Sequence, residues 1–206
     1  MLKFPIYSDL SKYFLKSIRS NFDVIEIWMR SVQLVLLQNS ILNKDSSTYL
    51  YYVSNKINRI FISNKDRLFS VNFPFKIVQD EQRYKIYTIH SKLEISYYDI
   101  ANILEFLNSR TIDMNLDNIL DDINTLYIEN YNALQILFEC LFTEHGYIRY
   151  DLDAINEHEN IHPLNHLDIY FSDQDTFKLG LKHSINLDQL LDILNEKTNC
   201  WYLYQK

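Results

Sequence analysis

The stretch GYIRYDLDAINEHENIHPLNHLDIYFSDQDTFKLGL, residues 146–181, decides the fold of this chain. Residues 147–153, 164–171 and 176–181 alternate apolar and polar side chains with the period of two that half-buried β-strands show. The polar sequence SDQD at 172–175 predicts a tight turn between the last two strands, since short polar side chains favour hairpin loops. The stretch therefore predicts antiparallel β-structure.

Outward from this stretch, the pattern changes to helices and further short strands. Over residues 48–95, β-branched and aromatic runs separated by polar breaks predict a meander of antiparallel strands, with Pro74 at a strand edge or bend. Apolar residues at helical spacing predict helices elsewhere, at about 8–19, 22–41, 97–143 in several pieces, and 187–197. The chain is thus predicted to be one α+β domain over 1–206, an antiparallel sheet packed with amphipathic helices, with a possible helical N-terminal subregion at 1–45.

The most apolar helical run is YNALQILFECLFTEHG at 131–146. Because it is apolar nearly all round, we expect a buried helix packed on the sheet of 147–181. The residues expected to be buried there are Ile136, Leu137, Cys140 and Leu141. Gly146 is predicted to cap the end of this helix.

Glycine is scarce, and this scarcity excludes two classes of function. The 206 residues include only two glycines but 28 Tyr and Phe residues. Phosphate-binding loops need glycine for positive-φ turns and for close approach of the backbone. Neither a Walker A nor a GxGxxG pattern is present. P-loop and Rossmann nucleotide-binding proteins are therefore excluded.

The net charge of −7 is divided unequally along the chain. Residues 1–103 carry 14 Lys and Arg against 9 Asp and Glu, whereas residues 104–206 carry 6 against 18. This asymmetry suits one surface for an anionic partner and another for a basic protein, or two solvated surfaces. The basic residues of 44–92 alternate with Tyr and Phe, which favours either single-stranded nucleic acid or the lysine-rich outer face of a sheet.

Targeting and disulfide signals are missing from the sequence. The opening MLKFPIYSDLSKYF has no continuous apolar signal-peptide core, and the longest apolar run, near 32–37, falls far short of the roughly 20 residues of a membrane helix. Cys140 and Cys200 do not form a disulfide framework. We expect a soluble cytoplasmic protein without membrane contact.

Carboxylate and imidazole side chains are concentrated in residues 146–181. Period-two spacing places Arg149, Asp151 and Asp153 on one face of the first predicted strand. The same spacing places His166 and Asp168 on one face of the next strand.

Three interpretations of this constellation stay open. Carboxylates and imidazoles facing each other could hold a divalent metal that activates water, or His166 could act as a general base oriented by an aspartate. Alternatively, the histidines pin the loop by hydrogen bonds and Arg149 pairs with an acid. The candidate catalytic residues are Asp151, Asp153, His162 and His166; the candidate binding residues are Arg149, Asp168 and the aromatic tail residues Trp201, Tyr202 and Tyr204.

The segments RYDLD (149–153), HPLNHLDI (162–169) and FKLGL (177–181), followed by an amphipathic helix, resemble an uncharacterised bacterial family, a domain of unknown function. The resemblance covers about residues 147–195. Its members carry an RxDxD loop, an HPxxHL strand and a short basic strand. This chain has Asp168 where relatives often have histidine and Lys178 where they often have arginine. The resemblance implies a setting in anti-phage defence loci rather than a reaction.

Two functions from different classes follow. The first is a non-catalytic accessory subunit of a bacterial defence assembly that docks on a larger ATPase or nuclease subunit of the same operon and needs no cofactor. The alternative is a small metal-dependent hydrolase acting on nucleic acid, using Mg²⁺ or Mn²⁺ at residues 151–166. Catalysis requires the candidate residues to converge on one solvent-reachable pocket.

Overall fold

The computed structural model describes residues 1–38, 46–54, 57–65, 67–81, 83–109, 116–158, 160–170 and 176–202. In these ranges the chain forms six helices and nine strands, which confirms the α+β class. In chain order the elements are β1 (Leu2–Pro5), α1 (Ser8–Leu15), α2 (Asn21–Leu37), β2 (Tyr49–Val53), β3 (Arg59–Ser63), β4 (Arg67–Asn72), β5 (Phe75–Asp80), β6 (Arg83–Thr88), α3 (Tyr97–Ser109), α4 (Leu116–Glu129), α5 (Tyr131–Leu141), β7 (Ile148–Leu152), β8 (Asn165–Tyr170), β9 (Thr176–Gly180) and α6 (Leu187–Ile193).

Seven strands form one sheet in the order β1-β2-β3-β4-β7-β8-β9, and the pairs from β2 to β9 are antiparallel. Strands β5 and β6 pair separately as a hairpin. The predicted antiparallel strands over 48–95 therefore form, but they do not make one continuous meander, because β5 and β6 pair only with each other. Pro74 lies in the break between β4 and β5, where its missing N–H suits a chain leaving a sheet. The predicted turn at 172–175 lies outside the described residues.

The chain divides into two compact units. Unit 1 contains residues 1–3, 47–72 and 146–206, and unit 2 contains residues 4–46 and 73–145. The prediction of one domain over 1–206 stays a prediction. Helices α1 and α2 occupy the predicted helical subregion after the short strand β1, and residues 39–45 lie outside the described ranges.

In unit 1, one face of the sheet packs against α6. Leu190 of α6 is fully buried in this core, and a capping box between Asn186 and Gln189 begins the helix. Successive side chains of a strand point to opposite faces, so the polar residues between these apolar ones lie on the other face. The buried core residues are Phe61, Leu68, Ile148, Tyr150, Leu167, Ile185 and Leu190.

In unit 2, helix α5 packs against α2, α3 and α4. The predicted burial is confirmed for Ile136, Leu137 and Cys140 but is wrong for Leu141, which is 39% exposed. The helix ends at Leu141, five residues before Gly146, so Gly146 is not its cap. None of the described helices is both long and apolar enough to cross a membrane.

Candidate functional site

Strand register brings the predicted polar residues together. Asp151 of β7 lies opposite His166 of β8, and Arg149 lies opposite Asp168. All four side chains share the sheet face that points away from α6, because they alternate with core residues such as Tyr150 and Leu167. We call Arg149, Asp151, His166 and Asp168 the Asp–His cluster. The sequence predicted this facing arrangement.

Arg149 holds the two carboxylates of the Asp–His cluster. Its Nε donates to Asp151 Oδ2 at 2.6 Å, and its Nη2 pairs with Asp168 Oδ2. From the neighbouring strand, Arg67 Nε lies 3.2 Å from Asp151 Oδ1. Both aspartates are buried, and a buried carboxylate needs such partners. The two arginines therefore offset the charge of the two aspartates.

Tyr147 extends this network. Its hydroxyl accepts from Arg149 Nη1 at 3.2 Å, and burial raises the pKa of the Tyr147 hydroxyl above its ordinary value. Burial alone would lower the pKa of Arg149, but Tyr147, Asp151 and Asp168 raise it above the ordinary value. The guanidinium is therefore firmly charged.

His166 is almost completely buried, with 1% of its surface exposed. Its Nδ1 lies 2.8 Å from the carbonyl oxygen of Pro163, and because that oxygen can only accept, Nδ1 carries a proton. Its Nε2 lies 3.9 Å from Asp151 Oδ2 and 3.8 Å from Asp168 Oδ1. Both distances are too long for hydrogen bonds.

The other two predicted catalytic residues form a separate pair beside the cluster. Asp153 Oδ1 accepts from the backbone N–H of Asn156 at 3.0 Å, and hydrogen bonds from Asn156 lower the pKa of Asp153. His162 Nε2 lies 3.9 Å from Asp153 Oδ2. The His162 ring contacts the His166 ring edge-on, with centroids 4.5 Å apart. The structure thus joins Asp151 and His166 in the cluster and leaves Asp153 and His162 at its border.

Sequence reasoning missed Arg67 as a member of this network. Arg67 belonged to the predicted basic surface, but the register of β4 with β7 places it opposite Asp151. These strands lie about 80 residues apart in the chain. No local signal in the sequence specifies that pairing.

Access to the cluster decides what chemistry it can perform. Two carboxylates and an imidazole could bind a metal or move a proton. Two cavities of about 260 and 240 Å³ lie elsewhere, the first beside α6 near Asp192 and the second between α3 and α4 near Asp122. Neither is lined by residues of the cluster. The hydrolase alternative stays a prediction.

The predicted aromatic tail is only partly described. Trp201 Nε1 donates to Asp192 Oδ2 at 2.7 Å, which ties the tail to α6. Tyr202 is exposed, and Tyr204 lies outside the described residues. A role of these residues in binding stays a prediction.

Much of the predicted basic surface has partners inside the protein. Arg59 is buried, Arg67 joins Asp151, and Lys85 pairs with Asp80 at 2.7 Å. Lys76 and Arg83 are exposed. Lys44 and Lys56 lie outside the described residues. Nucleic-acid binding by residues 44–92 stays a prediction.

Helices α4 and α5 expose large apolar side chains. On α5, Tyr131, Phe138 and the capping residue Phe142 repeat at spacings of seven and four, which places them along one face. The rings of Tyr127 and Tyr131 meet edge-on at 5.7 Å, which extends this surface onto α4. We call it the α4–α5 apolar face; it consists of Leu120, Tyr127, Tyr131, Phe138, Leu141 and Phe142.

No family model, curated protein or solved structure matches this chain. The resemblance over residues 147–195 therefore stays a prediction.

Proposed function

We propose that this protein is a non-catalytic accessory subunit that docks on a larger protein through the α4–α5 apolar face. The observation that carries the proposal is the exposure of this face: Phe142 is 86% exposed, and Tyr127 and Tyr131 are each more than half exposed. Clustered large apolar side chains on a protein surface mark sites of interaction. Aromatic residues also supply much of the energy of protein interfaces.

The acidic charge around the face supports a basic partner. Residues 111–148 contain seven Asp and Glu and no Lys or Arg. Asp121 and Glu129 are exposed on α4, beside the apolar residues. A partner surface with an apolar centre and a Lys- or Arg-rich rim would complement this pattern. A second copy of this chain would instead bring acid against acid.

One acidic side chain of α5, Glu139, is held in its ionised form. Burial alone would raise the pKa of Glu139, but hydrogen bonds from the Ser91 hydroxyl and the backbone N–H groups of Ser91 and His90 lower it below the ordinary value. Glu139 is therefore negatively charged at neutral pH, although these bonds direct its carboxylate towards the 90–91 turn.

The setting of this subunit is part of the proposal. A cytoplasmic defence assembly, with a larger ATPase or nuclease of the same operon as the partner, follows from the resemblance at residues 147–195 and from the sequence alone. The α4–α5 apolar face supports docking on a basic protein and is independent of that setting.

The proposal is tested by co-expression with the larger protein of the same operon and purification through a tag on this chain. The parent should retain the partner, and a Phe138→Ser/Phe142→Ser variant should bind it at least about tenfold more weakly, because two aromatic anchors are lost. The matched control is Ile155→Ser, which removes a 94% exposed apolar side chain of unit 1. Equal binding by the parent and the double variant, or no binding by the parent, would refute the proposal.

The salt dependence of binding distinguishes docking on a basic partner from self-association of this chain. Binding to a basic partner should weaken as salt rises from 0.05 to about 0.5 M, since screening removes the attraction between opposite charges. Self-association of the acidic face should instead strengthen over the same range. Sedimentation velocity of the isolated chain and of the complex measures both trends. A complex that tightens with salt would contradict a basic rim on the partner.

A further inference from the structure

Two buried polar atoms of the Asp–His cluster, His166 Nε2 and Asp168 Oδ1, have no hydrogen-bond partner among the residues that the structure describes. They lie 3.8 Å apart. Buried polar atoms in folded proteins nearly always have partners, so this pair is an exception that requires a physical reason.

The tautomer of His166 makes the exception sharper. Because Nδ1 donates its proton to the carbonyl of Pro163, Nε2 is the ring nitrogen left to bind a ligand or a second proton. Asp168 Oδ1 presents lone pairs. An unprotonated Nε2 and this oxygen are two acceptors side by side in a buried position, a pair that a cation between them or a proton on Nε2 stabilises.

A third acceptor completes a triangle. One ligand atom each from Asp151, His166 and Asp168 can be chosen so that all three lie within 4.8 Å of one another. For metal–ligand bonds of about 2.1 Å, tetrahedral ligand atoms lie about 3.4 Å apart. The distances of 3.8 and 3.9 Å from His166 Nε2 therefore need to shorten by only a few tenths of an ångström.

We propose that Asp151, His166 and Asp168 bind a first-row divalent cation such as Zn²⁺ or Mn²⁺. One imidazole with two carboxylates suits these ions, whereas Mg²⁺ prefers oxygen ligands and retains its water. The Pro163 carbonyl fixes the ring of His166, as carbonyls commonly do for metal-ligating histidines. This inference does not rest on the docking function and requires no hydrolysis.

Arg149 and Arg67 determine the orientation of the two carboxylates and the net charge of this site. They occupy the Oδ2 atoms of both aspartates and Oδ1 of Asp151, so they orient the carboxylates. They also offset the negative charge, which weakens attraction for a cation relative to an unpaired acidic cluster. Binding therefore depends on the imidazole nitrogen more than on net charge.

The test uses the full chain after removal of metal with a chelator. Zn²⁺ and Mn²⁺ should each raise the melting temperature in a saturable manner, because an ion that binds only the folded state stabilises it. Mg²⁺ at the same concentration should have a much smaller effect. Pulsed electron paramagnetic resonance of bound Mn²⁺ should show coupling to an imidazole nitrogen. A signal without that coupling, or an equal response to Mg²⁺, would overturn the inference.

Matched histidine variants identify the ligand. His166→Gln should weaken Mn²⁺ binding at least about tenfold, whereas His183→Gln, at an exposed position, should leave it unchanged. Asp168→Asn provides a second ligand variant if His166→Gln fails to fold. Equal binding by all variants would show that the ion binds only at the protein surface. No binding by the parent would indicate that a bridging water lies between His166 Nε2 and Asp168 Oδ1 instead of a cation. Either outcome overturns the inference.

Discussion

Arg59 and Arg149 lie on opposite faces of the same sheet, and their guanidinium groups bind different kinds of acceptor. Arg59 donates to Ser70 Oγ at 2.9 Å, to Asn72 Oδ1 at 2.5 Å and to the carbonyl oxygen of Gly146 at 2.5 Å, which are all neutral acceptors. Burial lowers its pKa to about 10. Arg149 instead binds two carboxylates, and its pKa is raised.

This difference explains why only one of the two sites resembles a functional centre. The neutral acceptors around Arg59 fix the geometry of the chain before β7. The carboxylates around Arg149 bring a formal charge that must be matched, and their extra lone pairs remain available. The presence of His166 beside those lone pairs turns a structural ion pair into a candidate ligand site.

The largest expected effect distinguishes the two arginines directly. Arg149→Met should lower the free energy of unfolding by about 3–5 kcal/mol, because it leaves the buried carboxylate of Asp168 without its cation and Asp151 with Arg67 alone. Arg59→Met should cost about 1–3 kcal/mol, the range for unsatisfied neutral acceptors. Urea unfolding of both variants measures the difference. The comparison fails if Arg59→Met proves the more damaging change.

A smaller effect is expected at Gly146, which contacts Arg59. Gly146 has φ of +49°, and an added Cβ would lie 3.2 Å from both Arg59 Nη1 and Asn72 Nδ2. Gly146→Ala should cost about 1–2 kcal/mol from the left-handed backbone alone. If crowding against Arg59 adds to this cost, the same substitution should cost less in an Arg59→Met background. A double-mutant cycle measures that coupling, and strictly additive effects would show that backbone strain acts alone.

The smallest effect is expected at Asp153, at the border of the Asp–His cluster. Asp153→Asn should change the free energy of unfolding by no more than about 0.5 kcal/mol at neutral pH, since the side chain lies near the surface. The folded-state pKa of Asp153 is lowered from 3.8. Its contribution is therefore present above about pH 3.8 and lost as the pH falls through the folded-state pKa. Melting curves from pH 7 to 2 should show parent and variant converging in acid, and a difference that grows in acid would contradict the assignment.

The sequence predicted the local structure where one rule operated alone. The local S-x-x-D pattern of Ser96 and Asp99 forms a capping box, with Ser96 N donating to Asp99 Oδ2 at 2.8 Å. Alternation predicted the strands that carry Arg149 and His166. The burial expected for an all-round apolar helix is incomplete at α5. Its neighbours pack on its other sides, which leaves Phe138 and Phe142 exposed.

By itself, the sequence determined the fold class, the period-two faces of β7 and β8 and the exclusion of glycine-rich nucleotide sites. These properties depend on local propensity and side-chain alternation, which act over a few residues. Only the tertiary structure decided that Arg67 joins Asp151, that Asp153 and His162 remain outside the cluster, and that α5 exposes aromatic residues. Those outcomes depend on the pairing of β4 with β7 and on helix packing, which are set by the summed burial of residues far apart in the chain.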